Sequence, residues 1–306
     1  MTPRRHRPAD WLAILRETFH IWLDRDAFTY SAAIAFFALF SLGPVLVVFT
    51  EGAALLFEPS AIRHQIIGQF ELLMGPEPAT AVDGMLGRAA VEMHGFVARV
   101  IAVATFVIGT TAVFVQLQDS LNRMWDVAPK PGPLLRNLVW KRVVSFALLL
   151  GLGFVLVVSL ILSTTIQALQ GYAERHANLP AAVFETGNAI VSWLLVTALF
   201  ALLYRVLPDV EIPWRDIWLG ALLTALLLSV GKWAIGFYLG RSTIALEYGA
   251  AGSMIVMLFW IYFVSLLVLF GAVFTRVQAR HFEEHRIQAT EGAVRVETVK
   301  KELPTS

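Results

Sequence analysis

Long apolar stretches alternate with short polar segments along most of this chain of 306 residues. A helix needs about 20 apolar residues to cross roughly 30 Å of hydrocarbon, and six stretches are long enough. They run from about Phe28 to Thr50, Phe96 to Val115, Val143 to Ile166, Ala189 to Val206, Trp214 to Tyr238, and Gly252 to Val277. The pattern predicts an all-α, polytopic membrane protein with six transmembrane helices.

The same pattern divides the chain into three parts. Residues 1–27 form an N-terminal segment, residues 28–277 the transmembrane domain and residues 278–306 a polar tail. The outer-side loop at 57–95 is long and partly apolar, so we expect short amphipathic helices there that cap the outer face. The tail becomes polar and loses its periodicity, and we expect disorder beyond about residue 288.

The N-terminal segment contains an amphipathic run that begins at Asp10, a residue suited to a helix N-cap. Four large apolar residues fall on one face of that helix: Trp11, Leu15, Phe19 and Trp22. Trp is favoured at membrane–water interfaces, so this helix is expected to lie along the cytoplasmic interface.

The distribution of Lys and Arg predicts the orientation. Eighteen flank one side of the six predicted spans and five flank the other, with Lys232 inside a span. Because cytoplasmic loops are enriched in Lys and Arg, both termini are predicted to be cytoplasmic.

Composition limits the chemistry. The chain is 57% hydrophobic and 15% charged with a mean hydropathy of +0.67, whereas a soluble domain carries about 25% charged residues. A net charge of +1 gives no support for a nucleic-acid partner. The chain has no cysteine, which excludes disulfides and Cys-ligated metal centres, and no cofactor is predicted.

Several motifs resemble those of the YihY/BrkB family of bacterial inner-membrane proteins. In chain order they are YSAAIAFFALFSLGPVLVV, LQDSLNRMWDV, WKRVVSFALLLGLGF, GKWAIGFYL and YGAAGSMIVMLFWIYFVSLLVLFGA. The resemblance implies a bacterial inner-membrane location, an association with virulence, and an older assignment as a ribonuclease. That family often has an acidic residue after the Gly-Ala of its last span, where this chain has Val273. A role for that carboxylate is therefore not carried over.

Lys232 is the sharpest candidate for a functional side chain, because an ionisable group inside a span is costly unless it is paired or wet. One interpretation is that it snorkels to the outer surface. The other is that it contributes to a polar pocket near the outer face, suited to an anionic headgroup. The other candidate residues of this pocket are Glu51, Glu185, Asn188 and Glu247.

Two further features are candidates. Gly43 and Pro44 predict a kink in the first span, since proline interrupts helical hydrogen bonding, and they indicate either helix packing or a functional break. The motif after the second span contains Gln118, Asp119, Asn122, Arg123 and Trp125. An Asp119–Arg123 salt bridge is a sufficient explanation for part of it, and a gate or partner contact is the alternative.

The HFEEH that starts at His281 and ends at His285 fits an H-x-x-E-H zinc pattern. No third ligand is apparent, so a solvated helix end is the favoured interpretation and the metal site is a weak candidate. We therefore expect a non-enzymatic membrane protein that handles or transports a lipid or another amphiphile for the cell envelope. A cytoplasmic-face hydrolase or nuclease and a scaffold for envelope proteins are the alternatives. Membrane lipids are the expected partners, and the oligomeric state stays open.

Overall fold

A computed structural model of the chain describes residues 8–53, 63–64, 67–68, 70–71, 76–92, 96–129, 165, 181–239, 250–282, 288–289 and 293–295. The helices with described bounds are α1 (Pro8–Asp24), α2 (Ala27–Ala53), α3 (Pro76–Glu92), α4 (Phe96–Trp125), α5 (Ala181–Val206), α6 (Trp214–Leu239) and α7 (Ala250–Phe282). Four short strands accompany them: β1 (Val127–Pro129), β2 (Val210–Glu211), β3 (Gln288–Ala289) and β4 (Ala293–Arg295). The predicted helical class is confirmed.

The 33-residue helix α7 lies at the centre of the described bundle. It contacts α2 and α4 on one side and α6 on the other, and α5 packs against α6 as an antiparallel neighbour. Helix α1 packs near the end of α7, and α3 packs near its start. We call these the α1 end and the α3 end of the bundle.

Four of the described helices are long and apolar enough to cross a membrane. The segments are Ala27–Leu46 in α2, Thr186–Val206 in α5, Trp214–Ile235 in α6 and Met254–His281 in α7. These correspond to predicted spans one, four, five and six. The second predicted span lies within α4, which is not one of the four, and the third lies outside the described residues. A helical membrane protein is confirmed, whereas the count of six spans stays a prediction.

The outer faces of these helices are apolar. Large side chains such as Phe40 (67% exposed) and Trp233 (73% exposed) point away from the bundle, as expected where lipid takes the place of water. Hydroxyl groups inside the helices bond locally: Thr197, Ser229 and Ser265 each donate to the carbonyl four residues earlier. This removes most of the cost of a hydroxyl in an apolar span.

Helices α5, α6 and α7 approach closely around two glycines. The Tyr204 hydroxyl donates to the carbonyl of Val268 (2.9 Å) and shares a hydrogen bond with the Thr224 hydroxyl (2.8 Å). A Cβ on Gly271 would overlap both hydroxyls, and a Cβ on Gly220 would overlap the Thr275 side chain. The absence of a side chain at these two positions is therefore what lets the three helices pack.

Two aspartates end helices in the left-handed conformation that non-glycine residues other than Asn and Asp rarely adopt. Asp26 (φ 55°) separates α1 from α2, and Asp126 (φ 63°) ends α4. Helix α6 begins after Pro213, whose carbonyl accepts hydrogen bonds from the amides of Asp216 and Ile217. The predicted start of the fifth span is thus confirmed.

The described residues of the tail form short strands, so the expectation of disorder beyond about residue 288 was wrong for Ala293–Arg295. Strand β4 pairs antiparallel with β1, with Val127 opposite Arg295, and β3 pairs antiparallel with β2, with Val210 opposite Ala289. Because β1 follows α4 and β2 joins α5 to α6, the tail provides backbone partners to two connectors at the α1 end.

The predicted α1 helix is present, but its apolar residues do not share one environment. Trp11 stacks on Phe274 with ring centroids 6.3 Å apart, and Trp22 meets Phe270 edge-on at 5.9 Å. Leu15 and Phe19 are exposed instead. The prediction of a single interfacial face was wrong in this respect, because α7 covers the two tryptophans.

Candidate functional sites at the two ends of the bundle

At the α1 end, Asp126 links three helices. Arg25, which follows α1, donates two hydrogen bonds to its carboxylate, at 2.5 and 2.9 Å. Arg276 of α7 lies 3.5 Å from the same carboxylate and donates to the carbonyl of Met124 at 2.6 Å. The bidentate geometry with Arg25 is the strongest form of this interaction.

The hydrogen bonds from Arg25 lower the pKa of Asp126 below its ordinary value, and the charges of Arg25, Arg276 and Arg123 act in the same direction, although burial opposes them. Asp126 is therefore held as a carboxylate. Its position after the last turn of α4 also holds the carboxylate between Arg25 and Arg276.

A second carboxylate, that of Asp209, is hydrogen-bonded to two residues of the polar motif after the second predicted span. Its two oxygens accept from Gln118 (3.2 Å) and Asn122 (2.8 Å), and its amide donates to the Asn122 side-chain oxygen (2.8 Å). Asn122 is 3% exposed and Asp209 is partly exposed, so this pairing with the α5–α6 connector is a partly buried contact. We call Arg25, Gln118, Asn122, Asp126, Asp209 and Arg276 the α1-end network.

The other motif residues take different positions. Trp125 is buried in the core, whereas Asp119 and Arg123 are exposed. Of the motif residues, Gln118 and Asn122 thus share one partner, the Asp209 carboxylate. The local Asp119–Arg123 pair stays a prediction.

His281 contacts α1: its Nε2 lies 2.6 Å from a carboxylate oxygen of Glu17. His285 lies outside the described residues. Within the described residues no group of three or more His, Asp or Glu side chains could hold a metal ion. His281 therefore has a partner that explains its position without a metal.

At the α3 end, the segment between α2 and α4 enters the bundle. Ile67, Phe70 and the α3 residues Ala81, Val82 and Leu86 pack in one apolar cluster with residues of α2 and α7. The α2 and α7 residues of the cluster are Leu39, Leu42, Leu46, Met257 and Ile261. All five belong to segments long and apolar enough to span the membrane. We call the described residues from Arg63 to Glu92 the α3 segment. The sequence predicts helices that cap the outer face, whereas this segment packs against the sides of the spans.

Lys232 lies at the same level of the bundle as this segment. The preceding residue, Gly231, fits against the ring of Phe263 in α7. Ile261, two residues before Phe263, packs against the same apolar cluster as Phe70. Glu71 follows Phe70 in the same segment and is exposed. Lys232 is half-buried within the Trp214–Ile235 span.

The remaining residues of the predicted pocket are only partly described. Asn188 is in α5, and among the described residues its side-chain oxygen is buried without a hydrogen-bond partner. The side chains of Glu51 and Glu185 are not described, and Glu247 lies outside the described residues. Their convergence with Lys232 stays a prediction.

Gly43 and Pro44 lie inside α2, which is helical on both sides of them. A Cβ on Gly43 would meet nothing within 4 Å, so close packing does not require a glycine there. The predicted kink and functional break are not tested by these observations.

The sequence analysis did not identify Asp126, Asp209 or Glu71 as candidate functional residues. Asp126 and Asp209 follow helices in short polar segments, where a carboxylate is usually solvated. Glu71 is helical and belongs to the 57–95 segment, which was expected outside the membrane. One signal for Asp126 was available: an aspartate directly after a long helix, in the place where Gly or Asn commonly ends it.

These features define a helical, multi-pass integral membrane protein with polar contacts at both ends of the bundle. The family of the virulence factor BrkB matches residues 18–294, and the chain belongs to this family. The resemblance noted from the sequence motifs is confirmed.

The relatives are described as UPF0761 membrane proteins. The one from Chromobacterium violaceum is 33% identical over 177 residues, which cover 57% of this chain and 40% of the relative. Those from Verminephrobacter eiseniae and Tolumonas auensis are each 27% identical, covering 85% and 83% of this chain and 60% and 81% of the relative. The chain thus spans well under two thirds of the length of some relatives that it matches. No solved structure matches it.

Proposed function

We propose that this protein binds and moves an anionic amphiphile, a phospholipid or an envelope-lipid precursor, at a site around Lys232 and Glu71, without chemistry of its own. One observation carries the proposal. A half-buried lysine lies inside an apolar span, at the level where the α3 segment, which carries Glu71, packs against the spans.

The cost of placing charged side chains in or beside a membrane span favours a functional role for Lys232 and Glu71. Ionisable residues within spans are costly and commonly mark substrate or ion pathways. An anionic headgroup reaching Lys232 would compete with Glu71 for the ammonium group, while the acyl chains stay in contact with the apolar outer faces of α6 and α7. Asn188 supplies a buried amide oxygen on the neighbouring helix of the same half of the bundle.

The test is lipid translocation by the purified protein in liposomes. A fluorescent anionic phospholipid is placed in both leaflets, and an impermeant quencher reports the rate at which inner-leaflet lipid becomes accessible. We expect Lys232→Met to slow translocation about tenfold, since a charge-assisted hydrogen bond of roughly 1.5 kcal/mol is lost.

Leu226→Met is the matched control, because Leu226 is exposed on the same helix, and it should keep the wild-type rate. Exchanging the charges, with Lys232→Glu and Glu71→Lys combined, should restore part of the rate that either single change removes. A wild-type protein that moves no lipid, or a fully active Lys232→Met, would remove the proposal.

We also propose six crossings of the bacterial inner membrane with both termini in the cytoplasm. The chain leaves α4 at the α1 end and enters α5 at the α3 end, which supports a further crossing between them. The α1 end carries Arg25, Arg205, Arg215 and Arg276, in keeping with the enrichment of Lys and Arg in cytoplasmic loops.

The native chain has no cysteine, so a single cysteine at Glu211, in the α5–α6 connector, can be labelled without background. It should resist a membrane-impermeant maleimide in intact cells and react after permeabilisation. Labelling in intact cells would overturn this orientation.

A further inference from the structure

The surface of α1 is divided into three sectors. At about 100° per residue, Ile14, Thr18 and Trp22 fall on one side, and they are 0%, 0% and 8% exposed. This is the sector that packs on α7 through Trp22 and Phe270.

A second sector is apolar and exposed. Its members are Leu12 (72%), Leu15 (38%), Phe19 (50%) and Leu23 (40%). They follow one another at intervals of three or four residues, which aligns them along the helix axis. We call these four residues the α1 stripe.

The third sector is exposed and mostly polar. It contains Ala13, Arg16, His20 and Asp24, and Glu17 at its far edge contacts His281. The α1 stripe therefore lies between the side that packs on the bundle and the side that carries the charges.

The stripe continues onto the apolar exterior of the bundle. The Phe19 ring of the stripe lies 5.9 Å from the Trp22 ring, and the Trp22 ring lies 4.8 Å from that of Phe28. Phe28 is 46% exposed at the start of α2, and α2 then presents Phe36 and Phe40 outward. Arg4, Arg5 and Arg7 precede α1 in the sequence, with no acidic residue before Asp10. Basic residues beside an apolar helix face favour an anionic membrane surface.

We propose that the α1 stripe is inserted into the acyl-chain boundary of an anionic phospholipid leaflet, so that α1 anchors the α1 end of the bundle sideways in the membrane surface. This places the stripe in lipid and the Arg16–His20–Asp24 sector in the headgroup and water layer. The proposal does not depend on the site around Lys232.

The experiment uses spin labels on single cysteines in the full-length protein, reconstituted in vesicles of phosphatidylcholine and phosphatidylglycerol. Labels at Leu12, Leu15, Phe19 and Leu23 are compared with matched labels at Ala13, Arg16, His20 and Asp24. Collision with oxygen reports lipid, and collision with a water-soluble nickel chelate reports water. All eight positions are exposed, so the substitutions are tolerated, and unfolding midpoints confirm this for each variant.

We expect stripe positions to favour oxygen and the polar sector to favour nickel, with a period of 3.6 residues. Equal nickel accessibility in both sectors would overturn the proposal. If spin–spin broadening at Leu15 disappears on dilution with unlabelled protein, a second copy covers the stripe and the proposal is also wrong. Replacing phosphatidylglycerol with phosphatidylcholine should reduce the depth of the stripe labels in the bilayer, because the attraction of the basic residues to anionic lipid is lost. The effect of Lys232→Met on translocation is a separate measurement, so the two proposals can fail independently.

Discussion

The two ends of the bundle hold their polar groups in different ways. At the α1 end, Asp126 and Asp209 each accept two side-chain hydrogen bonds, and the partners come from helices far apart in sequence. At the α3 end, the described pairs are fewer and more exposed: Arg63 bonds Asp83 at 2.6 Å with side chains 48% and 41% exposed. Asn188 keeps a buried oxygen without a described partner.

This difference indicates a division of roles. Partly buried carboxylates with several hydrogen-bond donors fix the arrangement of the helices they join, because removing a donor leaves charge uncompensated. We infer that Lys232, half-buried in an apolar span beside the α3 segment, can exchange partners. The α1 end therefore holds the helices together, and the ligand site that we propose lies at the α3 end.

The largest expected effect comes from the packing between α5, α6 and α7. Gly271→Ala places a methyl group against the Thr224 and Tyr204 hydroxyls, and overpacking of this kind costs about 1–3 kcal/mol. Unfolding in mixed micelles measures the change. Gly43→Ala is the control toward the α3 end: its Cβ meets nothing, and it should stabilise by about 0.5–1 kcal/mol through helix propensity. Equal stability of the two variants would contradict the packing described here.

A smaller effect is expected for the ion pairs. Asp126→Asn keeps a residue that tolerates the left-handed backbone but removes the charge between Arg25 and Arg276. With side chains 23% and 14% exposed for the Arg25 pair, we expect a loss of about 1–2 kcal/mol of unfolding free energy. The matched change at the α3 end, Asp83→Asn, should have no measurable effect, because its partner is well exposed. A reversed order of the two variants would show that the α3 end is the more tightly linked.

The smallest effect is the pH dependence of the same carboxylate. The folded-state pKa of Asp126 is lowered from 3.8, so its contribution is fully present above that value and is lost as pH falls through the folded pKa. The stability difference between wild type and Asp126→Asn should be constant from about pH 7 to pH 5 and should shrink only in stronger acid. A difference that shrinks near pH 6 would mean that the pKa is raised.

The long helices were predictable, because about 20 apolar residues in a row have few other uses. The starts and ends of α2, α6 and α7 agree with the predicted spans within a few residues, apart from the extension of α7 to Phe282. The family could also be predicted, since the motifs are specific in their order.

The pairings of side chains were not predictable. Asp126 and Arg25 are separated by 101 residues, and only the packing of α1, α4 and α7 places them together. The path of the α3 segment depends on Leu86 and Val82 finding an apolar groove between α2 and α7, which a single sequence does not display. Helix periodicity placed Leu15 and Trp22 on related faces, but only the position of α7 decides which of them is covered.

Helix α7 is one continuous rod of 33 residues, about 50 Å long. It carries Met257 against the α3 segment near its beginning and Arg276 beside Asp126 near its end. A molecule bound at the α3 end that tilts α7 slightly would therefore change the Arg276–Asp126 distance several turns away. A fluorescent reporter attached beside Asp126 would then report occupancy of the α3-end site without a label near the ligand.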